Sequence, residues 1–122
     1  MSYKPLPDNL TIKESPIHGL GVFATENISA LTIISCFTHM LIDEPHIGKE
    51  LQRLNYGGFI NHSKEPNCTL EIVHEFYNNS RKRTYYKVMC IVDIKIGEEI
   101  TLDYTKELCG LTGYTEEEWL KI

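Results

Sequence analysis

The feature that most constrains the fold is a succession of short, β-rich runs separated by glycine- or proline-containing turns. Strand character occurs in the runs 10–14, 22–24, 32–42, 70–77, 84–94 and 100–102. The runs 70–77 and 84–94 flank a polar turn and predict a β-hairpin with the charged run Arg81-Lys82-Arg83 at its tip. Together these runs predict a mainly β domain of several small sheets with short helices.

Two short helices are predicted beside these strands. Residues 43–45 are typical of a helix start, and residues 46–55 repeat apolar side chains at helical spacing: Ile47, Leu51 and Leu54. A last helix is predicted after Thr115, because Thr115 and Glu118 have the form of a capping box.

Length and composition predict one intracellular globular domain spanning residues 1–122. No run approaches the roughly 18 apolar residues of a membrane helix. The first residues lack the apolar core of a signal peptide. The net charge of −5 disfavours nucleic-acid binding and mildly suits a basic protein or peptide partner.

The cysteine and histidine positions give little support to a metal site. The four cysteines lie far apart and form no C-x-x-C pair: Cys36, Cys68, Cys90 and Cys109. We therefore expect reduced, mostly buried thiols and no metal. A metal-dependent hydrolase using His18, His62 and His74 remains an alternative, but their spacing is not that of a known metal site.

A polar cluster follows an apolar strand end in the middle of the chain. Phe59-Ile60 runs directly into Asn61-His62-Ser63, and Pro66-Asn67 then predicts a turn. Asn and His each carry a donor and an acceptor, so a buried pair must be hydrogen-bonded. Either a flat heteroaromatic ligand or the protein's own loop satisfies them, and this segment alone leaves both open.

The pair Gly19 and Gly21 flanks a single residue near the N-terminus. Neither glycine has a Cβ atom, so the backbone can approach a ligand closely there. Most such pairs are only turns, and this one lacks the third glycine and the helix of a dinucleotide fingerprint.

Three segments in this order resemble the signature of the SET-domain protein lysine methyltransferases. They are the glycine motif, 18–23; the central motif, 59–63 with 66–67; and the closing motif, 97–104. The resemblance spans about residues 10–104 and leaves a short tail, 105–122. It implies a SET fold (β-clip) of small sheets with a C-terminal pseudoknot, in which the central and closing motifs become neighbours.

The resemblance also implies the site residues. Tyr104 matches the catalytic tyrosine. S-adenosylmethionine would be bound by residues of the first two motifs: His18, Gly19, Leu20, Gly21, Phe59, Asn61 and His62. Phe59 is expected to pack behind the site, and Glu98 and Glu99 are expected to be turn and surface groups. Candidates for the channel of the substrate lysine are Tyr56, Tyr104, Tyr114 and Trp119.

The implied function is S-adenosylmethionine-dependent methylation of lysine in a basic, histone-like protein or peptide. The alternative is a degenerate SET module that binds cofactor or peptide without catalysis. Lys64 stands where many relatives have a zinc-binding cysteine, and the cysteine-rich segment after the domain is missing. The stretch 24–58 is short, so substrate recognition is open and a homodimer is one way to complete the groove. Small stand-alone SET proteins of this type are similar to those of viruses. The expected location is therefore the cytoplasm or nucleus, including that of a virus-infected host cell.

Overall fold

Eight strands form the framework of the part of the chain that the structure describes. The computed structural model describes residues 6–45, 48–78 and 81–109, with side chains through 107. The strands are β1 Leu10–Glu14, β2 Leu20–Ala24, β3 His39–Glu44, β4 Gly48–Arg53, β5 Asn61–His62, β6 Cys68–Asn78, β7 Arg81–Cys90 and β8 Thr101–Leu102. A 3₁₀ turn, Gly57–Phe59, precedes β5, and a π-helical turn, Thr105–Cys109, follows β8.

The strands form three small sheets, which confirms the predicted mainly β class. β1 and β2 form an antiparallel pair, and β4-β3-β7-β6 form an antiparallel sheet. β5 and β8 are parallel and lie far apart in sequence. A parallel pair needs a long connection, which here consists of the whole β6–β7 hairpin and the loop after it.

The predicted helix over 46–55 is wrong. Asp43 and Glu44 end β3, Pro45 lies in a turn, and β4 runs back along β3 with Leu51 opposite Leu41. The four-residue spacing of Ile47 and Leu51 in the sequence suits one face of a helix or of a strand, so this pair did not decide between them. A helix of this length is marginal alone, and cross-strand pairing with β3 decides the outcome.

The predicted hairpin is confirmed as β6 and β7, with a bulge between Ile72 and His74. Its charged run lies in β7, because the strand begins at Arg81 rather than at the predicted residue 84. Lys82 and Arg83 pair with β3 on one side and with β6 on the other, so the run lies in an interior strand of the sheet. Lys82 Nζ lies 3.7 Å from Glu75 Oε1.

The core lies between the sheets and is built mainly of aliphatic side chains. Its fully buried members include Val22, Ile34, Ile60, Val88, Ile94, Ile100 and Leu102. Cys68 and Cys90 face each other across β6 and β7 as buried thiols, as predicted. Among the described residues, no helix is both long and apolar enough to cross a membrane. The predicted C-terminal helix, with Tyr114 and Trp119, lies outside the described residues.

Acidification is expected to destabilise the fold through His39. Its side chain is 1% exposed and its Nδ1 lies 2.9 Å from Thr38 Oγ1. Burial lowers the pKa of His39 from 6.5 to about 3, and Arg53 acts in the same direction. Below pH 6.5, His39 therefore becomes protonated in the unfolded chain, whereas in the folded chain it stays neutral until about pH 3. The free energy of unfolding should fall by about 1.4 kcal/mol per pH unit in this window.

Urea unfolding at several pH values measures this effect. Between pH 6.5 and about 5, His39→Gln should flatten the dependence, because the glutamine takes up no proton. His74→Gln, at an exposed position of β6, is the control and should leave the dependence unchanged. A wild-type slope retained in His39→Gln would contradict the assignment.

Candidate active site

The backbone brings the three motifs to one place. Residues 97–100 run antiparallel along the free edge of β2: Gly97 N–H donates to Ala24 O, Ala24 N–H to Glu98 O and Ile100 N–H to Val22 O. Beyond Ile100 the chain turns to pair with β5, placing Asn61 beside Thr101 and His62 beside Leu102. The closing motif therefore contacts the glycine motif on one side and the central motif on the other.

Beyond Ile100, where the backbone no longer pairs with β2, the side chain of Asn61 contacts the carbonyl groups of the glycine motif. Its Nδ2 lies 3.2 Å from Leu20 O, 3.1 Å from His18 O and 2.7 Å from Glu99 Oε2. Three oxygen atoms around one amide atom identify that atom as nitrogen, since an oxygen there would have no donor. The amide orientation is thereby fixed, and Asn61 Oδ1 is the remaining acceptor of this amide.

Glu99 is part of the site, and the expectation that it is a surface group is wrong. Its carboxylate accepts from Ser15 Oγ at 2.7 and 2.9 Å and from Asn61 Nδ2. A Cβ atom on Gly21 would lie 2.2 Å from Glu99 Oε2, so the carboxylate occupies space that only glycine leaves. Glu98, by contrast, is an exposed turn residue whose Oε1 accepts from the Lys95 N–H, as predicted.

The side chain of Asn67, in the central motif, is hydrogen-bonded to the backbone of the closing motif. Its Nδ2 donates to Glu99 O at 2.8 Å, and its Oδ1 accepts from the Thr101 N–H at 2.9 Å. An asparagine after proline is typical of a turn, so the sequence indicated its local role and not this contact across 34 residues. Asn67 thus fixes the segment that carries Glu99.

His62 is held in one tautomer by the closing motif. Its Nδ1 accepts from the Tyr104 N–H at 2.9 Å, so the neutral ring carries its proton on Nε2. Asp103 Oδ1 lies 4.0 Å from the same nitrogen, beyond hydrogen-bonding distance. The ring centroids of His62 and Tyr104 are 5.1 Å apart. His62 and Tyr104 therefore contact each other through this hydrogen bond and through their rings.

Tyr104 lies half-buried beside His62, with its hydroxyl donating to Ile60 O. Burial raises the pKa of Tyr104 above its usual value, although Arg53 opposes this effect. The hydroxyl is therefore neutral at physiological pH. A phenol hydroxyl that donates its proton, here to Ile60 O, can also accept a hydrogen bond through its oxygen.

The other predicted site residues divide into exposed and buried positions. Gly19 forms the turn before β2 with a φ of 45°, and His18 and Leu20 beside it are exposed. Phe59, which is expected to pack behind the site, has a side chain that is 40% exposed. Tyr56 is 1% exposed, and its hydroxyl donates to Ser35 O. Its place in the lysine channel stays a prediction.

No three potential metal ligands come together within the part of the chain that the structure describes. His18, His62 and His74 therefore do not form the metal centre of the hydrolase alternative. His62 is committed instead to the Tyr104 backbone.

Comparison with known proteins identifies similar sequences and folds. A SET domain family model matches residues 38–105, more than half of the chain. A histone-lysine N-methyltransferase of Aspergillus oryzae, H3 lysine-4 specific, is 30% identical over 135 residues, covering 81% of this chain. The chain spans only 11% of that protein's length.

Two solved structures share the fold. A Plasmodium falciparum protein named as a candidate histone methyltransferase superposes with a TM-score of 0.65 at 25% identity, covering 84% of this chain and 98% of its own. A humanized mutant of the Chaetomium thermophilum Polycomb Repressive Complex 2 gives a TM-score of 0.62 at 22% identity, covering 90% of this chain and 16% of that one. The second likeness extends to the fold alone.

Proposed function

The chain belongs to the SET domain family, and from that premise we propose that it is an S-adenosylmethionine-dependent protein lysine N-methyltransferase. The observation that carries the proposal is the convergence of the glycine motif, Asn61, His62 and Tyr104 on one site. The domain is proposed to span residues 1–122, with its motifs in 10–104.

The residues present fit S-adenosylmethionine, which when bound supplies an activated methyl group on a positively charged sulfur. Asn61 presents an acceptor beside the carbonyls of His18 and Leu20, a set that matches the amino group of an amino acid. His62, with its proton on Nε2, presents a donor of the kind that a purine nitrogen accepts. The turn at Gly19 and Gly21 brings backbone close to this place.

The substrate lysine must arrive as a neutral amine. Free lysine has a pKa of about 10.4, so neutrality at pH 7 costs on the order of 4–5 kcal/mol. An apolar channel and a nearby positive charge both lower this pKa. The neutral Tyr104 hydroxyl can align the amine as an acceptor without the negative charge that would retain its proton. Tyr104 is therefore proposed as a positioning contact to the reacting atoms rather than a general base.

The proposed substrate is lysine in a basic, histone-like protein or peptide, in agreement with the names of the relatives and with the net charge of −5. We place this activity inside the cell, in the nucleus or cytoplasm. A homodimer remains a proposal for completing the peptide groove.

Thermal unfolding with and without S-adenosylmethionine tests the cofactor part of the proposal. Ligand at about 100 times its dissociation constant should stabilise the folded chain by about 2.7 kcal/mol and raise the Tm. An unchanged Tm at millimolar cofactor would contradict it. A raised Tm with no methyl transfer to any basic protein would favour the non-catalytic module instead.

Asn61→Ala is expected to weaken cofactor binding by about 10- to 100-fold, because a hydrogen bond to a charged group contributes about 1.5–3 kcal/mol. Isothermal titration calorimetry with S-adenosylhomocysteine measures the change. The control is Asn27→Ala, at an exposed asparagine that accepts from the Ile96 N–H far from the motifs. Equal affinities of both variants would remove Asn61 from the cofactor site.

A further inference from the structure

We propose that Glu99 positions the amino group of the cofactor, by fixing Asn61 and by placing a negative charge where the α-ammonium group binds. This inference rests on the proposed cofactor and assigns a residue of the closing motif to its binding.

The hydrogen-bonded cluster around Asn61 contains more acceptors than donors. Asn61 supplies two N–H groups and Ser15 one hydroxyl, whereas the acceptors are His18 O, Leu20 O and both oxygens of Glu99. Each of these oxygens has two lone pairs. A ligand group that donates several hydrogen bonds is therefore the complementary partner, and an ammonium group, with three donors, has this property.

Glu99 also brings a negative charge to this cluster. Its side chain is half-buried, and its carboxylate accepts hydrogen bonds from Ser15 Oγ and Asn61 Nδ2. Removing a carboxylate from water is unfavourable unless a charge or strong donors compensate. Ser15 and Asn61 compensate in part, and a bound ammonium group would complete the compensation.

Gly21 leaves the space that the Glu99 carboxylate occupies. Any Cβ on Gly21 would lie 2.2 Å from Glu99 Oε2 and 2.8 Å from its Cδ. Glycine inside a strand weakens it, so the close approach has a cost in stability. The carboxylate, the Asn61 amide and the carbonyls of the glycine motif thus form one preorganised group, with Asn61 Oδ1 as its remaining acceptor.

Two ligands and two matched variants test the proposal. The ligands are S-adenosylhomocysteine and its analogue lacking only the α-amino group. The variants are Glu99→Gln, which removes the charge at nearly constant shape, and Glu98→Gln, the same change at the neighbouring exposed turn residue. Calorimetry gives each affinity, and the Tm of each ligand-free variant reports its folding.

For S-adenosylhomocysteine, Glu99→Gln should reduce the affinity about tenfold or more, and Glu98→Gln should change it less than about twofold. For the desamino analogue, Glu99→Gln should have less than about a twofold effect, because the group that senses the charge is missing. Equal losses for both ligands would make Glu99 a merely structural residue and would overturn the inference.

The wild-type chain provides a test that does not depend on the folding of a variant. Loss of the α-amino group should weaken its binding by about tenfold or more, and equal binding of the two ligands would overturn the inference while leaving the proposed function intact. If the wild-type chain binds neither ligand, the proposed function itself fails, and the inference fails with it.

Discussion

Replacing Tyr104 with phenylalanine is expected to lower kcat for methyl transfer by about 100-fold or more, with the Kd for S-adenosylhomocysteine changed less than about twofold. The phenyl ring keeps the contact with the His62 ring, whose centroid lies 5.1 Å away. The hydroxyl, anchored by its bond to Ile60 O, is lost. The substitution therefore removes the group proposed to align the incoming amine and keeps the proposed cofactor contacts of Asn61 and His62.

Single-turnover kinetics with labelled cofactor separate the two effects. Tyr77→Phe is the matched control, since Tyr77 is 69% exposed on β6 and should tolerate the change without loss of rate. An unchanged rate in Tyr104→Phe, or a loss explained entirely by weaker cofactor binding, would contradict the assigned role.

Gly57→Ala is expected to reduce the free energy of unfolding by about 3 kcal/mol or more, a large part of the stability of a typical domain. The new Cβ would lie 2.0 Å from Thr38 O and 2.9 Å from the Thr38 carbonyl carbon. Thr38 is fully buried, and its carbonyl is held by the Leu54 N–H at 2.8 Å. The clash is with fixed backbone, so the turn before β5 must shift, together with the Asn61 and His62 that follow it.

The adjacent glycine provides the control. A Cβ on Gly58 would meet only the Arg53 side chain, at 3.6 Å, which is ordinary contact. Gly58→Ala should therefore change the free energy of unfolding by less than about 1 kcal/mol. Urea unfolding compares the two variants, and equal destabilisation would show that the contact with Thr38 is not the cause.

Local patterns predicted the strands well where turn residues bounded them. β1 matched its predicted run, and β6 and β7 formed the predicted hairpin, because alternation of side chains and turn composition are properties of neighbouring residues. β4 was predicted as a helix, because its apolar spacing suits both structures and only the partner strand β3 decides between them.

The site residues also divide into those that a local motif predicted and one whose role depends on residues distant in the sequence. Asn61, His62 and Tyr104 were identified by their motifs, and the structure brings them together. Glu99 was misjudged, because its role depends on Ser15, 84 residues away in the sequence, and on the space at Gly21. The only local signal was its position two residues before the strand that pairs with Asn61, and that pairing is not visible in the sequence.

Methyl transfer from isotope-labelled S-adenosylmethionine to a mixture of core histones, read by mass spectrometry of the lysine-containing peptides, tests the central claim most directly. Label is expected on lysine side chains when the wild-type chain is present, and much less label is expected with Tyr104→Phe. Folded wild-type chain that leaves every lysine unlabelled, or that labels them equally well without the Tyr104 hydroxyl, would contradict it.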